Sequence, residues 1–183
     1  SQIWNSSHRP KGSEAITSIL GKQVKYPTAT RWNSLYDCSL QLLEIYNESE
    51  KAEHEFENNT LNKLLQATIT PASSFSQFSK TEIKYLNNYV MLMEPIARGL
   101  DYLQGDKNSY YGQLLPTLSS INLKLDALCI KPELKSMEFV IKSLQNAFAS
   151  RFKSQLNFES ESYDAVIASV SNPKYKLRWI LNY

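Results

Sequence analysis

The chain has 183 residues, of which 42% are hydrophobic, so it is long enough and apolar enough for one ordinary domain with a sizeable core. No apolar run approaches the roughly 20 residues of a membrane-spanning helix, and no secretory leader opens the chain, so we expect no membrane partner. Only five glycines argue against a β-rich fold with many tight turns. Cys38 and Cys129 lie far apart in sequence, which favours a reducing compartment over a disulfide framework.

The net charge of +2 is unevenly distributed along the chain. Residues 1–32 carry a net charge of +4, residues 33–130 carry −5, and residues 131–183 carry +3. Two basic segments therefore flank an acidic middle. Charge patterning of this size is usually a solvated exterior, and alone it does not indicate nucleic-acid binding.

The first long helix is predicted from Trp32 to Asn58. Thr30 is a plausible N-cap, because its hydroxyl can accept a free backbone N–H of the first turn. Apolar side chains at helical spacing predict the buried face, and they are Trp32, Leu35, Tyr36, Leu42, Leu43 and Tyr46. Arg31 and Trp32 should therefore lie at the entrance of a helix whose body packs in a core, with Cys38 as a small packing residue.

The second long helix should begin at Ser79, which forms a capping-box pattern with Glu82. Its predicted buried face consists of Ile83, Leu86, Val90, Met93, Ala97, Leu100 and Leu103. Gly105 should end it, and Pro95 inside it predicts a kink.

Three more helices follow, joined by short connections that favour a bundle. The first is predicted over Tyr110–Leu128, where Pro116 is tolerated if it lies in the first turn, and the second begins at Pro132. Their predicted buried faces are Leu114, Leu118, Ile121, Leu125 and Leu128 in the first, and Leu134, Met137, Ile141, Leu144, Phe148 and Phe152 in the second. Ser160 or Ser162 should cap the last helix, whose predicted apolar residues are Tyr163, Val166, Ile167 and Val170. A strand is conceivable only at Gln23–Tyr26 or Leu177–Leu181.

Signatures of a complete active site are absent from the sequence. It contains no Gly-rich phosphate loop, no zinc-type Cys/His spacing and no nucleophile elbow. The acidic residues between Glu44 and Glu57 do not form one cluster on a helix, so we interpret them as a solvated face. We therefore expect no catalytic residue, no metal ligand and no cofactor in this chain.

The remaining signal combines aromatic rings with cations, at Arg31-Trp32, Tyr110-Tyr111 and Lys174–Trp179. A ring can stack on an unpaired base, and a neighbouring arginine can hold a phosphate. For Tyr110 and Tyr111 we favour burial in the core. For Trp32, the residues alone leave base stacking and core packing both open.

Four blocks of the sequence together resemble the hAT transposase family. They read PTATRWNSLYDCSLQLLE, YVMLMEPIARGLDYLQGD, YYGQLLPTLSSINLKL and NPKYKLRW, and they occur in the order found in the family. They cover most of the chain from Tyr26 to Trp179. The TRWNS motif followed by a leucine-rich helix is the most specific of the four.

The resemblance implies an RNase H-like catalytic domain interrupted by a large helical insertion, in a nuclear DNA transposase or a domesticated relative. In such enzymes three acidic residues hold divalent metal, Mg²⁺ or Mn²⁺, for strand cleavage and transfer. The tryptophan that corresponds to Trp32 lies near that site and stabilises a flipped base, with Arg31 beside it. By resemblance, then, Arg31 and Trp32 are DNA-binding residues and DNA is the partner.

The resemblance also has limits, which define the domain organisation that we expect. The family's acids lie upstream of the Arg-Trp motif and beyond the insertion, and its Cys/Asp-x-x-His signature is not matched by residues 5–8. We therefore expect a mainly α helical bundle at 28–171, with short edges of an RNase H-like domain at 1–27 and 172–183. This chain alone should not cut DNA, and any homo-oligomer should form through regions outside it.

Two alternatives remain open from the sequence. The parent could be a catalytically inactive, domesticated protein in which this bundle is a scaffold for protein–protein contacts. An unrelated helical enzyme would instead need a polar pocket that the sequence does not reveal.

Overall fold

The computed structural model describes residues 14, 17–18, 21, 23–29, 31, 33–52, 78–104 and 110–180. Within them the fold is mainly α, as predicted, and the described helices are α1 (Ser34–Ala52), α2 (Lys80–Leu103), α3 (Leu114–Leu128), α4 (Glu138–Arg151), α5 (Lys153–Leu156) and α6 (Tyr163–Ser171). Short 3₁₀ turns lie at Tyr111–Gln113, Pro132–Met137 and Ser160–Ser162. These described residues contain no strand, since 23–28 are irregular and 173–179 form turns.

The chain divides into two compact units, Ser1–Val90 and Met91–Tyr183, with the boundary inside α2. None of the helices described here is long and apolar enough to cross a membrane.

In the first unit, α1 begins at Ser34, two residues later than predicted. Thr30 and Trp32 lie outside the described residues, as does the predicted end of this helix. Most of the predicted face is buried, namely Tyr36, Leu42, Leu43 and Tyr46, and Cys38 packs among them as expected. Leu35 is an error of the prediction, because it lies in the first turn of α1 and is 44% exposed.

The capping box at the start of α2 is confirmed. The Ser79 N–H donates to Glu82 Oε2 at 2.8 Å, and the Glu82 N–H donates back to Ser79 Oγ at 3.2 Å. These reciprocal bonds satisfy two backbone donors that would otherwise have no helical partner. Pro95 lies inside the helix as predicted, whereas Gly105 is outside the described residues.

The core of the second unit is built mainly from the predicted faces of α3 and α4. One cluster joins α2, α3, the Pro132–Met137 turn and α4, and its buried members are Leu92, Leu118, Ile121, Leu125, Leu128, Leu134, Met137, Ile141 and Phe148. A second cluster joins Leu115 of α3 to Ala165 of α6 and to Trp179. Leu114 packs against both clusters, so α3 is covered on two sides.

Pro116 occupies the position expected, whereas the helix predicted from Pro132 begins only at Glu138 and the cap of α6 also differs. Pro116 lies in the first turn of α3, where backbone N–H groups have no helical partner, and Pro132 begins a 3₁₀ turn. Ser162 is the N-cap of α6 but makes no side-chain capping bond. Its hydroxyl instead donates to the carbonyl oxygen of Glu159 at 2.8 Å.

Most of the apolar residues expected on α6 are exposed, and its buried side is formed by small residues. Tyr163 is 59% exposed and Ile167 is 64% exposed, while Ala165 and Ser169 are buried. The reason is a close approach between backbones, because a Cβ on Gly112 would collide with the backbone carbonyl group of Ala168. Small residues face the neighbouring turn since only they leave room for that approach.

Replacing Gly112 with alanine should destabilise the second unit by about 3 kcal/mol, because the added methyl group meets backbone that cannot rotate away. Gly99→Ala is the matched control. Its Cβ would meet the side chain of Ile121, which can shift, and alanine is the better helix former. Urea unfolding followed by circular dichroism should show a much larger loss for Gly112→Ala than for Gly99→Ala. Equal losses would contradict the close backbone approach.

The capping box should also give α2 a dependence on pH. Hydrogen bonds from Ser79 lower the pKa of Glu82 below its ordinary value of 4.5. The stabilisation is therefore complete above the unfolded pKa and is lost as the pH falls through the lower folded pKa. Ser79→Ala should cost about 1 kcal/mol at pH 7 and less at pH 3, measured by urea unfolding at both values. A cost independent of pH would contradict this assignment.

Candidate DNA-contact site

Arg31 lies three residues before α1 and is 68% exposed. Its guanidinium is 3.3 Å from the carboxylate of Asp37, whose side chain is mostly covered. Among the described residues Asp37 is its ion-pair partner, and a side chain that is 68% exposed and carries five N–H donors retains donors at the surface. Arg31 therefore presents a positive, multidentate donor at the entrance of the helix, as predicted.

The loop that carries Arg31 is fixed by the buried hydroxyl of Ser34. This oxygen accepts the N–H of Thr28 at 3.0 Å and lies 2.9 Å from the Thr28 carbonyl and 2.7 Å from the Arg31 carbonyl. The Ser34 N–H also donates to the Arg31 carbonyl at 3.1 Å. One serine thus holds both ends of the turn between residues 28 and 31.

The approach to this loop is held by Gln41 of α1. Its Oε1 accepts the N–H of Lys25 at 2.7 Å, and its Nε2 donates to the carbonyl of Gln23 at 3.0 Å. A buried amide therefore binds the backbone of the connector on both sides, and Val24 packs inward between those bonds. Ser34 and Gln41 were not predicted as functional residues. A glutamine beside two leucines of the buried face could have indicated a buried amide that needs hydrogen-bond partners.

Trp32 lies outside the described residues, so its contact with a base stays a prediction. The structure establishes its neighbours in sequence, the exposed Arg31 and the buried Asn33.

Tyr110 and Tyr111 are not core residues, which corrects the sequence interpretation. They are 62% and 56% exposed. The 3₁₀ turn that they open buries Gly112 and Gln113 instead, since Gly112 is the residue that meets the backbone of α6.

The third aromatic and basic group, Lys174–Trp179, is divided by the fold. Trp179 is buried and packs edge-on against Phe158, with ring centroids 5.7 Å apart. Lys174 is exposed, and its Nζ donates to the hydroxyl of Tyr102 at 2.8 Å. Tyr102, on α2, was not singled out in the sequence, because its partner lies 72 residues away.

Lys174, Tyr102 and Tyr175 form one hydrogen-bonded cluster. The two phenol hydroxyls share a hydrogen bond, and Lys174 Nζ lies 5.2 and 5.3 Å from the centroids of the Tyr102 and Tyr175 rings. The bond from Lys174 lowers the pKa of Tyr102, whereas burial raises the pKa of Tyr175. Both phenols raise the pKa of Lys174 above 10.5, so the ammonium group is charged at neutral pH.

The described part of the chain offers no candidate metal site. No group of three His, Cys, Asp or Glu residues there could hold a metal ion. Both cysteines are free thiols, and burial raises the pKa of Cys38, which disfavours its nucleophilic thiolate.

No protein-family model, curated protein or solved structure matches this chain at a significant level.

Gln41→Ala should release the connector that leads to Arg31. The N–H of Lys25 and the carbonyl of Gln23 would lose their partner, at a cost of about 1 kcal/mol because both residues are partly solvated. Trypsin should then cleave after Lys25 faster than in the unmodified chain. Glu44→Ala, an exposed position on the same helix, is the control and should leave the cleavage rate unchanged. Equal cleavage rates for Gln41→Ala and the unmodified chain would contradict this role.

Proposed function

We propose that this chain is a helical domain that assists DNA binding next to a metal-dependent strand-transfer site in a transposase-like protein. The observation that supports it best is the exposed guanidinium of Arg31, which precedes Trp32 in sequence and lies on a loop tied to α1. A guanidinium presents parallel N–H donors that match the oxygens of a phosphate.

The proposed mechanism separates the roles of the two side chains. Trp32 stacks on an extrahelical base and replaces part of the stacking that the base loses on leaving the duplex. Arg31 binds a phosphate of the same strand. Because Ser34 and Gln41 hold the loop before DNA arrives, little loop entropy is lost on binding.

The resemblance extends this proposal beyond the chain itself. The termini would be edges of an RNase H-like domain, and the parent protein would act in the nucleus. Mg²⁺ or Mn²⁺ would be held by acids of the parent that lie outside this span. The described residues of this chain offer no carboxylate cluster for such an ion, so no step of strand cleavage is assigned to them.

Changing Trp32 to alanine should weaken binding of a DNA hairpin with one extrahelical base by about 5- to 150-fold, which is the range for loss of one stacked ring. Binding of a fully paired duplex should change little. The probe carries 2-aminopurine at the extrahelical position, and its fluorescence should be quenched by the unmodified chain. Trp32→Phe keeps a ring and should retain part of the quenching.

Replacing Asp37 tests the role of Arg31 by a change that should tighten hairpin binding instead of weakening it. Asp37→Asn removes the carboxylate that competes with phosphate and should tighten hairpin binding severalfold, whereas Arg31→Ala should weaken it. A Trp32→Ala chain that unfolds would show that the indole belongs to the core, and one that folds but binds the hairpin normally would contradict base stacking.

A protein-interaction scaffold is the second candidate, and one observation favours it. The exposed face of α6 carries apolar side chains at Tyr163, Ile167 and Val170, as protein-contact surfaces often do. The flanking sequence separates the two candidates, because three intact acids favour a nuclease and their loss favours a scaffold.

A further inference from the structure

The segment after α6 is a folded structure held by Trp179. Its backbone closes a series of turns, in which the N–H groups of Tyr175 and Lys176 both donate to the Asn172 carbonyl, at 3.1 and 3.0 Å. The indole N–H of Trp179 donates to the Lys176 carbonyl at 3.0 Å, and the indole itself is buried. A segment that is polar and basic in sequence is therefore fixed against the second unit.

The backbone of this segment also carries strain. Lys176 has a φ of 50°, a left-handed conformation that residues with a Cβ adopt at a cost. Lys176 lies between Tyr175 and Trp179. The unfavourable backbone angle therefore occurs where the chain presents the Tyr175 ring to the cleft and buries the Trp179 indole.

Two adjoining clefts open along the segment, with volumes of about 350 and 480 Å³. They share Pro116, Ser120, Lys124, Lys174 and Tyr175 as lining residues. Arg98 and Tyr102 line the first, and Arg178 lines the second. No acidic side chain lines either cleft.

The cations of these clefts are available to a ligand. Arg98 pairs with Glu94 at 2.7 Å, but no described carboxylate lies within ion-pair distance of Lys124, Lys174 or Arg178. Three charges that no described carboxylate neutralises, around one concave surface, create a positive potential that attracts anions.

The rings determine which anion fits. Tyr102 is 39% exposed, and Tyr175 is half-buried beside it, so both present ring surface inside the cleft. A duplex keeps its bases stacked within a convex surface and cannot bring them to a recessed ring. An unpaired strand can lay its phosphates on the cations while a base meets the ring.

We propose that the groove formed by these two clefts binds single-stranded nucleic acid, with Lys124, Lys174 and Arg178 on the phosphates and Tyr102 against a base. This site uses residues of the second unit only, and it is a different site from Arg31 and Trp32.

The test measures binding of a fluorescein-labelled oligothymidylate to the full chain by anisotropy, over a series of salt concentrations. The triple variant Lys124→Gln, Lys174→Gln, Arg178→Gln should bind at least 10-fold more weakly. The slope of log K against log salt should fall by about 2, because each phosphate contact with a single strand contributes about 0.7. The matched control is Lys135→Gln, Arg151→Gln, Lys153→Gln, which removes the same charge from exposed positions of the same unit and should bind nearly normally.

The ring is tested separately from the charges. Tyr102→Leu should weaken strand binding roughly 5- to 150-fold, whereas Tyr102→Phe should bind like the unmodified chain because it keeps the ring. Circular dichroism should show that each variant retains its helices.

Several outcomes would overturn the groove site. They are equal losses in the two triple variants, a duplex that binds as tightly as the single strand, and competition by oligoglutamate as strong as that by unlabelled strand. The groove triple variant should lose strand binding by the same factor in the unmodified chain and in an Arg31→Ala, Trp32→Ala background. Failure of the hairpin experiment with normal strand binding would therefore remove the Arg31 and Trp32 proposal and leave the groove intact.

Discussion

The second unit depends on the burial of α3 on two sides. One side of this helix forms the cluster with α2 and α4, and the other packs Leu115 against Ala165 and Trp179. A helix with two covered sides must be apolar over most of its surface and must be approached closely by its neighbours. Gly99 of α2 allows the approach to Ile121 of α3, and Gly112, in the 3₁₀ turn before α3, allows that turn to approach Ala168 of α6. These contacts explain why small residues recur where α2, α3 and α6 meet their neighbours.

The proposed groove is a consequence of that arrangement. Since Trp179 occupies one side of α3, the residues before it are held along the same helix, and Lys174 reaches Tyr102 on α2. The hydrophobic burial of one ring thus positions cations and a second ring that remain at the surface. In amphipathic segments the apolar side chains often stabilise the fold while the polar side chains contact a ligand. Without Trp179, the basic segment would have no fixed position from which to bind a single strand of nucleic acid.

In the first unit, buried polar groups hold the segment that displays a cation at the surface. Ser34 and Gln41 form hydrogen bonds with backbone groups of the loop and its connector. Each of those backbone groups would cost free energy if it were buried without a partner. Burial of a polar side chain stabilises little in itself, but it selects one conformation of the chain it binds. Arg31 is consequently displayed at a defined place beside α1 instead of on a free segment. The two proposed nucleic-acid sites are therefore positioned by different interactions. Hydrogen bonds from buried polar side chains position the first, and burial of an apolar ring positions the second.

The existence of the long helices and most of the buried faces of α3 and α4 could be predicted from the sequence, because they follow from local periodicity and capping. The Ser79–Glu82 box and the faces of α3 and α4 are examples. Tertiary structure alone decided the exposure of Tyr110, Tyr111 and α6, because a close approach at Gly112 overrides the apolar pattern. It also decided the meeting of Tyr102 with Lys174 and the hold of Gln41 on the connector. Such contacts join residues distant in sequence, and no local pattern encodes which of them will meet.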